Sequence, residues 1–380
     1  MHKTRIMISV NSSWNIVNFR TGIIRALKAK GYDVIVAAPQ DEYSDRIREF
    51  GCKYLPISIN SHGKYPVEDL KLLHQFYRVF RQESPSLFMG YTAKPNIFGS
   101  LAAHALGIPV INNIAGLGSA FSQKGWLPST VKQLYRFAIR GSHKIFFQNS
   151  DDFRLFVEER LVSPNRCEIL PGSGVDLQLF QPSQESEQND AGDHLKFVLV
   201  GRLLWEKGIG EYVEAAKLIK SEFPQVEFQL LGPVDESNPA SIPRSVLDKW
   251  VAEGTIRYLG SVDDVRPIIR AADCVVLPSY YREGTPRSLL EAAAMGRPIV
   301  TTDWVGCRDV VEHGRNGYLC QTRSVEDLAH KLRQMIELSP MTRAAMGNYS
   351  RDKIAREFDE QIVIRRYETA IDQALLARHA

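Results

Sequence analysis

Short β-rich runs alternate with amphipathic helical patterns along this chain, and the alternation occurs twice. In the first half the runs are RIMISV, YDVIVAAP, KYLPISI, SLFMGYT, PVINNIAG, KIFFQN and CEILPG. In the second half they are KFVLVGR, VEFQLLG, IRYLG, CVVLPSY, RPIVTTD and NGYLC. Strands that alternate with helices form parallel sheets covered by helices on both faces. The pattern therefore predicts two doubly wound α/β domains.

A polar, acidic segment separates the two halves. It reads PSQESEQNDAGDHL at 182–195 and is nearly free of apolar residues, which is typical of a linker. We predict a Rossmann-like N-terminal domain at 1–175 and a Rossmann-like C-terminal domain at 195–345. The remaining residues, 346–380, read as charged helices, and we expect them to cross back to the first domain. Two domains also suit 380 residues, which exceed what one hydrophobic core usually serves.

Composition excludes several classes of protein. The net charge of +3 is too small to favour nucleic acid as a partner. The five cysteines are scattered without paired spacing and predict reduced thiols rather than disulfides or a zinc site. The N-terminus reads as a first strand and not as a signal peptide. The stretch 95–123 has no charged residue, but its prolines, asparagines and glycines favour a buried helix, turn and strand over a membrane span.

The segment REGTPRSLLEAAAMGRP predicts one short helix. Thr285 is a favourable N-cap and Pro286 suits the first helical position. Gly296 and Pro298 mark the end, so we expect a helix from Pro286 to Met295.

Two glutamates flank the start of this helix. Glu283 precedes it, and Glu291 lies roughly 9 Å along its axis from Thr285 at 1.5 Å per residue. A helix N-terminus offers unpaired N–H groups that suit an anionic or hydroxyl-rich ligand, so the carboxylates could hold the two sugars of a nucleotide-sugar. Alternatively, Glu283 is a turn residue and Glu291 a solvated helix residue.

A second group of residues lies in FVLVGRLLWEKGIGEY. Arg202 falls at the end of the first strand of the second domain, and Lys207 falls near the start of the next helix. Both cations would reach the carboxyl edge of the sheet, where they could stabilise a diphosphate leaving group. The alternative is two solvated loop charges.

The motifs GRLLWEKG and EGTPRSLLEA together resemble the donor-site signature of glycosyltransferase family 4, the retaining GT-B enzymes. The resemblance covers most of the chain, because EILPGSGVDLQLFQP, LLGPV, YLGSVDDV and NGYLC also match in order and spacing. It implies the GT-B fold, in which two Rossmann-like domains face each other across a cleft.

The resemblance also implies roles for individual residues. Arg202 and Lys207 contact the donor diphosphate, Glu283 and the backbone of 284–287 hold the transferred hexose, and Glu291 holds the ribose. The nucleobase of the donor packs near Tyr258 to Val262. A UDP-sugar is then the co-substrate, and no metal is expected. The implied catalytic residues are Arg202, Lys207 and Glu283. The implied donor-binding residues are Gly201, Gly284, Thr285, Pro286, Arg287, Glu291, Gly260 and Val262.

Two N-terminal stretches narrow the expected function. NSSWNIVNFRTGIIRALKAKGYDV and YTAKPNIFGSLAAHALGIPVINNIAGLGSAF look like bacterial transferases that build capsule, O-antigen or lipid-linked oligosaccharides. The resemblance implies transfer of a hexose or N-acetylhexosamine to a hydroxyl of an undecaprenyl-diphosphate-linked glycan. We expect a cytoplasmic enzyme that associates peripherally with the inner face of the cytoplasmic membrane. The alternatives are a nucleotide-sugar 2-epimerase and a non-catalytic nucleotide-sugar-binding subunit.

The chain departs from the family pattern at two places. The loop NSSWNIVNF replaces a glycine-rich loop, and there Asn15, Asn18 or Arg20 either meets a phosphate or stabilises the loop. NNIAGLG carries no histidine where many members have one. His62, in a loop, and His104, in an expected buried helix, are the nearest titratable candidates for a base or an acceptor contact.

A basic stripe lies in LPSTVKQLYRFAIRG. Lys132, Arg136 and Arg140 recur every four positions and share one face of a helix. Phe121, Trp126 and Leu127 lie just upstream. This face either docks on anionic lipid or the acceptor pyrophosphate, or is an ordinary solvated surface.

Overall fold

The computed structural model describes residues 3–60, 66–117, 126–182, 194–236 and 238–379. The chain divides into two compact units. One comprises Met1–Ser173 together with Glu360–Ala380, and the other comprises Gly174–Asp359.

The first unit contains a seven-stranded parallel sheet among its described residues, in the order β3-β2-β1-β4-β5-β6-β7. Each of the seven runs predicted in the first half forms one of these strands. The strands are β1 (Arg5–Ser9), β2 (Asp33–Ala38), β3 (Lys53–Pro56), β4 (Leu87–Tyr91), β5 (Val110–Ile114), β6 (Lys144–Phe147) and β7 (Cys167–Ile169). The helices between them are α1 (Ser13–Phe19), α2 (Thr21–Ala29), α3 (Ser44–Glu49), α4 (Pro66–Glu83), α5 (Ser100–Ala105), α6 (Trp126–Ile139) and α7 (Ser150–Glu158).

Both faces of this sheet are buried. Ile6 and Ile8 of β1 belong to one apolar core, whereas Met7 between them belongs to the core on the other face. Successive side chains of a strand point to opposite faces, so a strand covered on both sides is apolar throughout. This arrangement explains why the strands appear in the sequence as unbroken apolar runs.

The uncharged stretch forms the predicted buried helix and strand where it is described. A π-helical turn at Pro95–Gly99 leads into α5, and β5 follows with all of its residues buried. Over the described ranges of the chain, no helix is both long enough and apolar enough to span a bilayer.

The second unit contains a six-stranded parallel sheet among its described residues, and all six predicted runs form strands. The order is β10-β9-β8-β11-β12-β13. The strands are β8 (Lys196–Val200), β9 (Glu227–Leu231), β10 (Arg257–Tyr258), β11 (Cys274–Leu277), β12 (Ile299–Thr302) and β13 (Gly317–Cys320). The helices are α8 (Ile209–Glu222), α9 (Arg244–Ala252), α10 (Arg266–Ala271), α11 (Arg287–Ala294), α12 (Val325–Glu337) and α13 (Pro340–Glu357).

The C-terminal helices divide between the units at a different place from the predicted one. The expected break at 345/346 falls inside α13, which packs against α11 and stays with the second unit. The last helix, α14 (Glu360–His379), belongs to the first unit, where Tyr367 and Ile371 enter the core beside β1. Helical periodicity alone does not reveal which core a helix joins, because the same amphipathic pattern suits either.

Candidate active site

The strand order of the second sheet reverses between β8 and β11, which are neighbours although two strands intervene in the chain. Open α/β sheets bind ligands beyond the carboxyl ends of their strands, at the point where the order reverses. Arg202 and Lys207 follow β8, and Glu283 follows β11. The predicted catalytic residues therefore lie in the two loops that border this point.

Backbone hydrogen bonds hold these two loops together. The N–H groups of Tyr280 and Tyr281 both donate to the carbonyl oxygen of Glu206 at 2.9 Å. Gly208 adopts a φ of 76°, and a Cβ there would lie 2.1 Å from the carbonyl oxygen of Pro278. Only glycine fits this left-handed, close-packed position. The turn at 205–207 is thereby pressed onto the end of β11, with Lys207 beside the loop that carries Glu283.

Lys207 and Glu283 form an ion pair between Nζ and Oε1. Their side chains are only 13% and 12% exposed, and Ser279 Oγ donates to the same carboxylate oxygen at 3.2 Å. The alternative interpretations of Lys207 as a solvated loop charge and Glu283 as a simple turn residue do not agree with this burial. A cation and a carboxylate that share a small, largely dry space are suited to hold a charged, hydroxyl-bearing ligand.

Tyr281 lies between the two predicted cations. Lys207 Nζ is 5.7 Å from the centroid of its ring, and the guanidinium of the exposed Arg202 interacts with its phenol. Burial raises the pKa of Tyr281, and Arg202 opposes this rise. Tyr281 and Ser279 are not among the site residues predicted from the sequence. Their position directly after the apolar run of β11, at the same sheet edge, is the signal that could have found them.

The loop before α11 is packed against the loop that follows β12. Gly306 has a φ of 77°, and a Cβ there would lie 1.9 Å from the carbonyl oxygen of Gly284. Thr285 is buried. The backbone at Glu283 and Gly284 therefore packs directly against the loop that follows β12.

Helix α11 begins one residue later than predicted. Pro286 has an extended ψ of 119°, and its carbonyl oxygen accepts from the N–H groups of Leu289 and Leu290. The residue whose carbonyl accepts the first helical bond is the N-cap, so Pro286 is the cap and Thr285 is not. The helix runs from Arg287 to Ala294.

Glu291 is buried on α11 and is not a solvated surface residue. Its side chain is 12% exposed, and its Oε1 accepts from Arg287 Nε at 2.9 Å. Burial raises the pKa of Glu291, and the Arg287 guanidinium opposes the rise. A buried carboxylate held by one cation retains acceptor capacity for a ligand hydroxyl.

The remaining predicted donor-binding residues lie at the carboxyl edge of the same sheet. Gly260 accepts from the N–H of Gly232 at 2.8 Å, and Tyr258 Oη donates to the Gly232 carbonyl at 2.9 Å. Val262 is 41% exposed. A Cβ at Gly201 would meet no protein atom within 4 Å, so space is open in front of this glycine.

Asn18 and Arg20 both make local contacts within the first unit. Asn18 Nδ2 donates to the carbonyl oxygen of Trp14 at 2.9 Å. Arg20 is 5% exposed, and its guanidinium lies 4.3 Å from the centroid of the Tyr91 ring. These contacts favour the loop-stabilising alternative for both residues.

Buried amides occupy the NNIAGLG segment. Asn113 Nδ2 donates to Tyr367 Oη at 2.7 Å, and Gln148 Nε2 donates to Asn113 Oδ1 at 3.1 Å. His104 packs against Gly141, and burial lowers the pKa of its imidazole. His62 lies outside the described residues.

The three cations of the predicted basic stripe differ in their positions: Lys132 and Arg136 lie on α6, whereas Arg140 follows the last residue of that helix, Ile139. Lys132 pairs with Glu159 at 2.7 Å, whereas Arg136 and Arg140 are exposed. Phe137, adjacent to Arg136, is 74% exposed. The side chains of Phe121, Trp126 and Leu127 lie outside the described part of the chain, so Phe137 is the exposed aromatic residue that the structure places at this face.

Two families of known proteins match this chain. Residues 194–338 match the family described as "Glycosyl transferases group 1", and residues 5–149 match the family described as "Glycosyl transferase 4-like". This chain is a family 4 glycosyltransferase. The family assignment makes it an enzyme of the hexosyltransferase class.

Two curated relatives of this glycosyltransferase act on lipid-linked sugars according to their names. The Campylobacter jejuni N,N'-diacetylbacillosaminyl-diphospho-undecaprenol alpha-1,3-N-acetylgalactosaminyltransferase is 29% identical, over 98% of this chain and 99% of its own length. The Escherichia coli UDP-Gal:alpha-D-GlcNAc-diphosphoundecaprenol alpha-1,3-galactosyltransferase is 24% identical, over 77% of this chain and 76% of its own length.

Solved structures establish the fold of this glycosyltransferase as GT-B. The Anabaena protein HepE, in complex with UDP and glucose, superposes with a TM-score of 0.79 at 16% identity, over 97% of this chain and all of its own. A Rickettsia africae glycosyltransferase gives the same TM-score and identity over 99% of both chains.

Proposed function

We propose that this glycosyltransferase moves a hexose or N-acetylhexosamine from a UDP-sugar to a hydroxyl of an undecaprenyl-diphosphate-linked glycan, with retention at the anomeric carbon. The second unit binds the donor and the first unit binds the acceptor. The names of the Campylobacter and Escherichia relatives support the acceptor class, since both contain a diphospho-undecaprenol sugar. The UDP in the HepE complex supports the donor class.

The observation that carries the proposal is the largely buried pair of Lys207 and Glu283 beside Arg202 and Tyr281. In this arrangement the two cations meet the donor diphosphate, and Glu283 exchanges part of its bond to Lys207 for hydroxyls of the hexose. Preorganised charges of this kind stabilise the developing negative charge on a leaving group. The chain thus supplies the positive charge that a metal would otherwise provide.

The acceptor proton needs a destination. The NNIAGLG segment contains buried amides in place of a histidine, and His104 packs against Gly141 with its pKa lowered by burial. We infer that an oxygen of the departing diphosphate takes the acceptor proton on the same face on which the new bond forms. The bond from the anomeric carbon to the diphosphate breaks, the bond to the acceptor oxygen forms, and protonated UDP leaves.

The lipid-linked acceptor places the enzyme at an anionic surface. Arg136 and Phe137 on α6, and Arg140 just after its last residue, are exposed. They form a basic surface with an apolar side chain suited to the headgroup region. We propose that this face of the first unit binds the inner leaflet of the cytoplasmic membrane peripherally. Lys132 contributes less, because Glu159 partly neutralises it.

Incubation of the protein with UDP-sugars, with and without an undecaprenyl-diphosphate-linked sugar, tests the proposal. UDP release that depends on the acceptor, with an α-linked product, is the expected result. Formation of a C2 epimer in the absence of acceptor would identify the epimerase instead. Nucleotide binding without turnover under either condition would identify a binding subunit.

A further inference from the structure

Arg287 occupies a place that is unfavourable for a cation. It is the first residue of α11, and the first turn of that helix contains no acidic residue. The positive end of the helix dipole lies there, so a cation is destabilising. Its partner Glu291 follows four residues later, and basic-before-acidic is the weaker order for such a pair. Local helix stability therefore does not account for Arg287.

The contacts of Arg287 point to another role. Its Nε donates to Glu291 Oε1 at 2.9 Å, and its Nη1 donates to the carbonyl oxygen of Gly174 at 2.6 Å. Its guanidinium also lies 5.8 Å from the centroid of the Phe180 ring. One side chain, 14% exposed, thus joins the predicted ribose carboxylate to segment 174–180 within the second unit.

Arg287 is also the charged group that acts on Glu291. Burial raises the pKa of Glu291, and Arg287 is the group that lowers it. The neighbouring strands β11 and β12 carry apolar and threonine side chains apart from one cysteine. Charged residues on two other elements have hydrogen bonds of their own. Asp176 accepts from backbone N–H groups of its own segment, and Arg351 of α13 donates to backbone carbonyls.

We propose that Arg287 is a positioning residue for the donor nucleotide, which bonds one oxygen of Glu291 and leaves the other oxygen to accept from a ribose hydroxyl. Arg287 acts through Glu291, and its bond to the Gly174 carbonyl fixes the guanidinium from the opposite side. The proposal rests on the proposed function, since it requires a nucleotide at this site.

Calorimetric titration with UDP over a pH series tests this role. The variants are Arg287→Met, which removes the charge, and Arg287→Lys, which keeps the charge but lacks the planar guanidinium with its several N–H donors. Arg333→Met is the matched control, because Arg333 forms a two-bond pair with Glu222 on the exposed surface of the same unit. Thermal unfolding establishes that each variant is folded.

Arg287→Met should weaken UDP binding roughly tenfold at neutral pH, the effect of one charged hydrogen bond. The acidic limb of its binding profile should move to higher pH, since the protonated Glu291 persists further without its cation. Arg287→Lys should keep the limb near the wild-type position, and Arg333→Met should match the wild type. The donor KM should rise in Arg287→Met while kcat at saturating donor changes little.

The same binding experiment in a Glu291→Gln background measures the coupling. There, Arg287→Met should lose most of its effect on UDP affinity. An equal loss in both backgrounds, or an unmoved acidic limb in Arg287→Met, would overturn the positioning role. Should Arg287→Met fail to fold, a wild-type profile in Arg287→Lys supports the charge role and a shifted one overturns it. Wild-type protein that binds no UDP would instead refute the proposed function.

Discussion

Lys207 and Glu283 form an ion pair although 76 positions separate them in the chain. Each residue follows a different strand, and the strands are neighbours only because the sheet order reverses between β8 and β11. The cation proposed to bind the diphosphate and the carboxylate proposed to bind the hexose are thus in direct contact.

Replacement of Lys207 should cost activity far more than stability. We expect Lys207→Ala and Arg202→Ala each to lower kcat by about 10²–10³, the usual cost of one preorganised electrostatic donor. Loss of Lys207 also leaves Glu283 without its cation, which should lower the free energy of unfolding by about 1–3 kcal/mol. Steady-state kinetics and denaturant unfolding measure the two effects. Lys217→Ala, which removes an exposed lysine of the same unit, is the control and should change neither.

Glu291→Gln should weaken donor binding and remove a pH dependence of stability. A buried charged hydrogen bond is worth about 1.5–3 kcal/mol, so UDP affinity should fall about 10- to 100-fold. The pKa of Glu291 in the fold is raised above its ordinary value of 4.5. At a pH between 4.5 and the raised pKa, Glu291 keeps its proton in the folded chain but has released it in the unfolded chain. The stability that the protonated Glu291 contributes is therefore lost as pH rises.

Melting temperatures of wild type and Glu291→Gln over a pH series check this sign. The stability of the variant relative to wild type should increase as pH rises above about 4.5 and level off beyond the raised pKa. A relative stability that falls as pH rises would contradict the assignment of Glu291 as a buried carboxylate destabilised by desolvation. Unchanged UDP affinity would remove Glu291 from the ribose.

Neither histidine candidate should be essential. His104→Ala and His62→Ala should each keep kcat within about tenfold of wild type, because a departing phosphate oxygen can accept the acceptor proton without a positioned base. His104 supports this expectation, since its ring is packed against Gly141 and its pKa is lowered by burial. A hundredfold loss of kcat in His62→Ala with normal donor affinity would make His62 the base.

Activity should persist in excess EDTA. In the proposed site Arg202 and Lys207 supply positive charge at the diphosphate, and the sequence contains no Asp-x-Asp triplet. Turnover is measured after dialysis against EDTA and again after addition of manganese or magnesium. Restoration by metal of an activity lost to EDTA would show that the two cations are insufficient.

The exposed residues at the C-terminal end of α6, which are Arg136, Phe137 and the following Arg140, should govern binding to anionic vesicles. Arg136→Ser with Arg140→Ser should weaken it by about 1 kcal/mol for each cation. Phe137→Ser should weaken it further through lost apolar contact. Lys132→Ser should have a smaller effect, since Lys132 is paired with Glu159. Vesicle sedimentation measures binding, and donor hydrolysis in solution should survive in all variants. Equal vesicle binding by the wild type and the Arg136, Arg140 and Phe137 variants would leave α6 as an ordinary solvated surface.

The strands, and the sheet edge at which the chemistry-bearing residues lie, could be predicted from the amino-acid sequence. The strands described in both sheets match the predicted β-rich runs. Central strands such as those in KFVLVGR and CVVLPSY are apolar along their length because both of their faces are buried. Arg202, Lys207 and Glu283 each follow such a run, so their approximate positions could be predicted. The start of α11 was misplaced by one residue, since Thr285 and Pro286 both suit helix starts and only the backbone ψ of Pro286 distinguishes them.

Which of these residues are in contact and which are buried depends on long-range packing. The pairing of Lys207 with Glu283 depends on β8 lying beside β11, a contact between distant parts of the chain that no local pattern encodes. Glu291 could be solvated or buried with equal local helix chemistry, and the packing of α11 on its sheet and α13 settled it. Burial and charge pairing arise from the three-dimensional packing of separate elements, whereas helix and strand signals arise from neighbours in sequence.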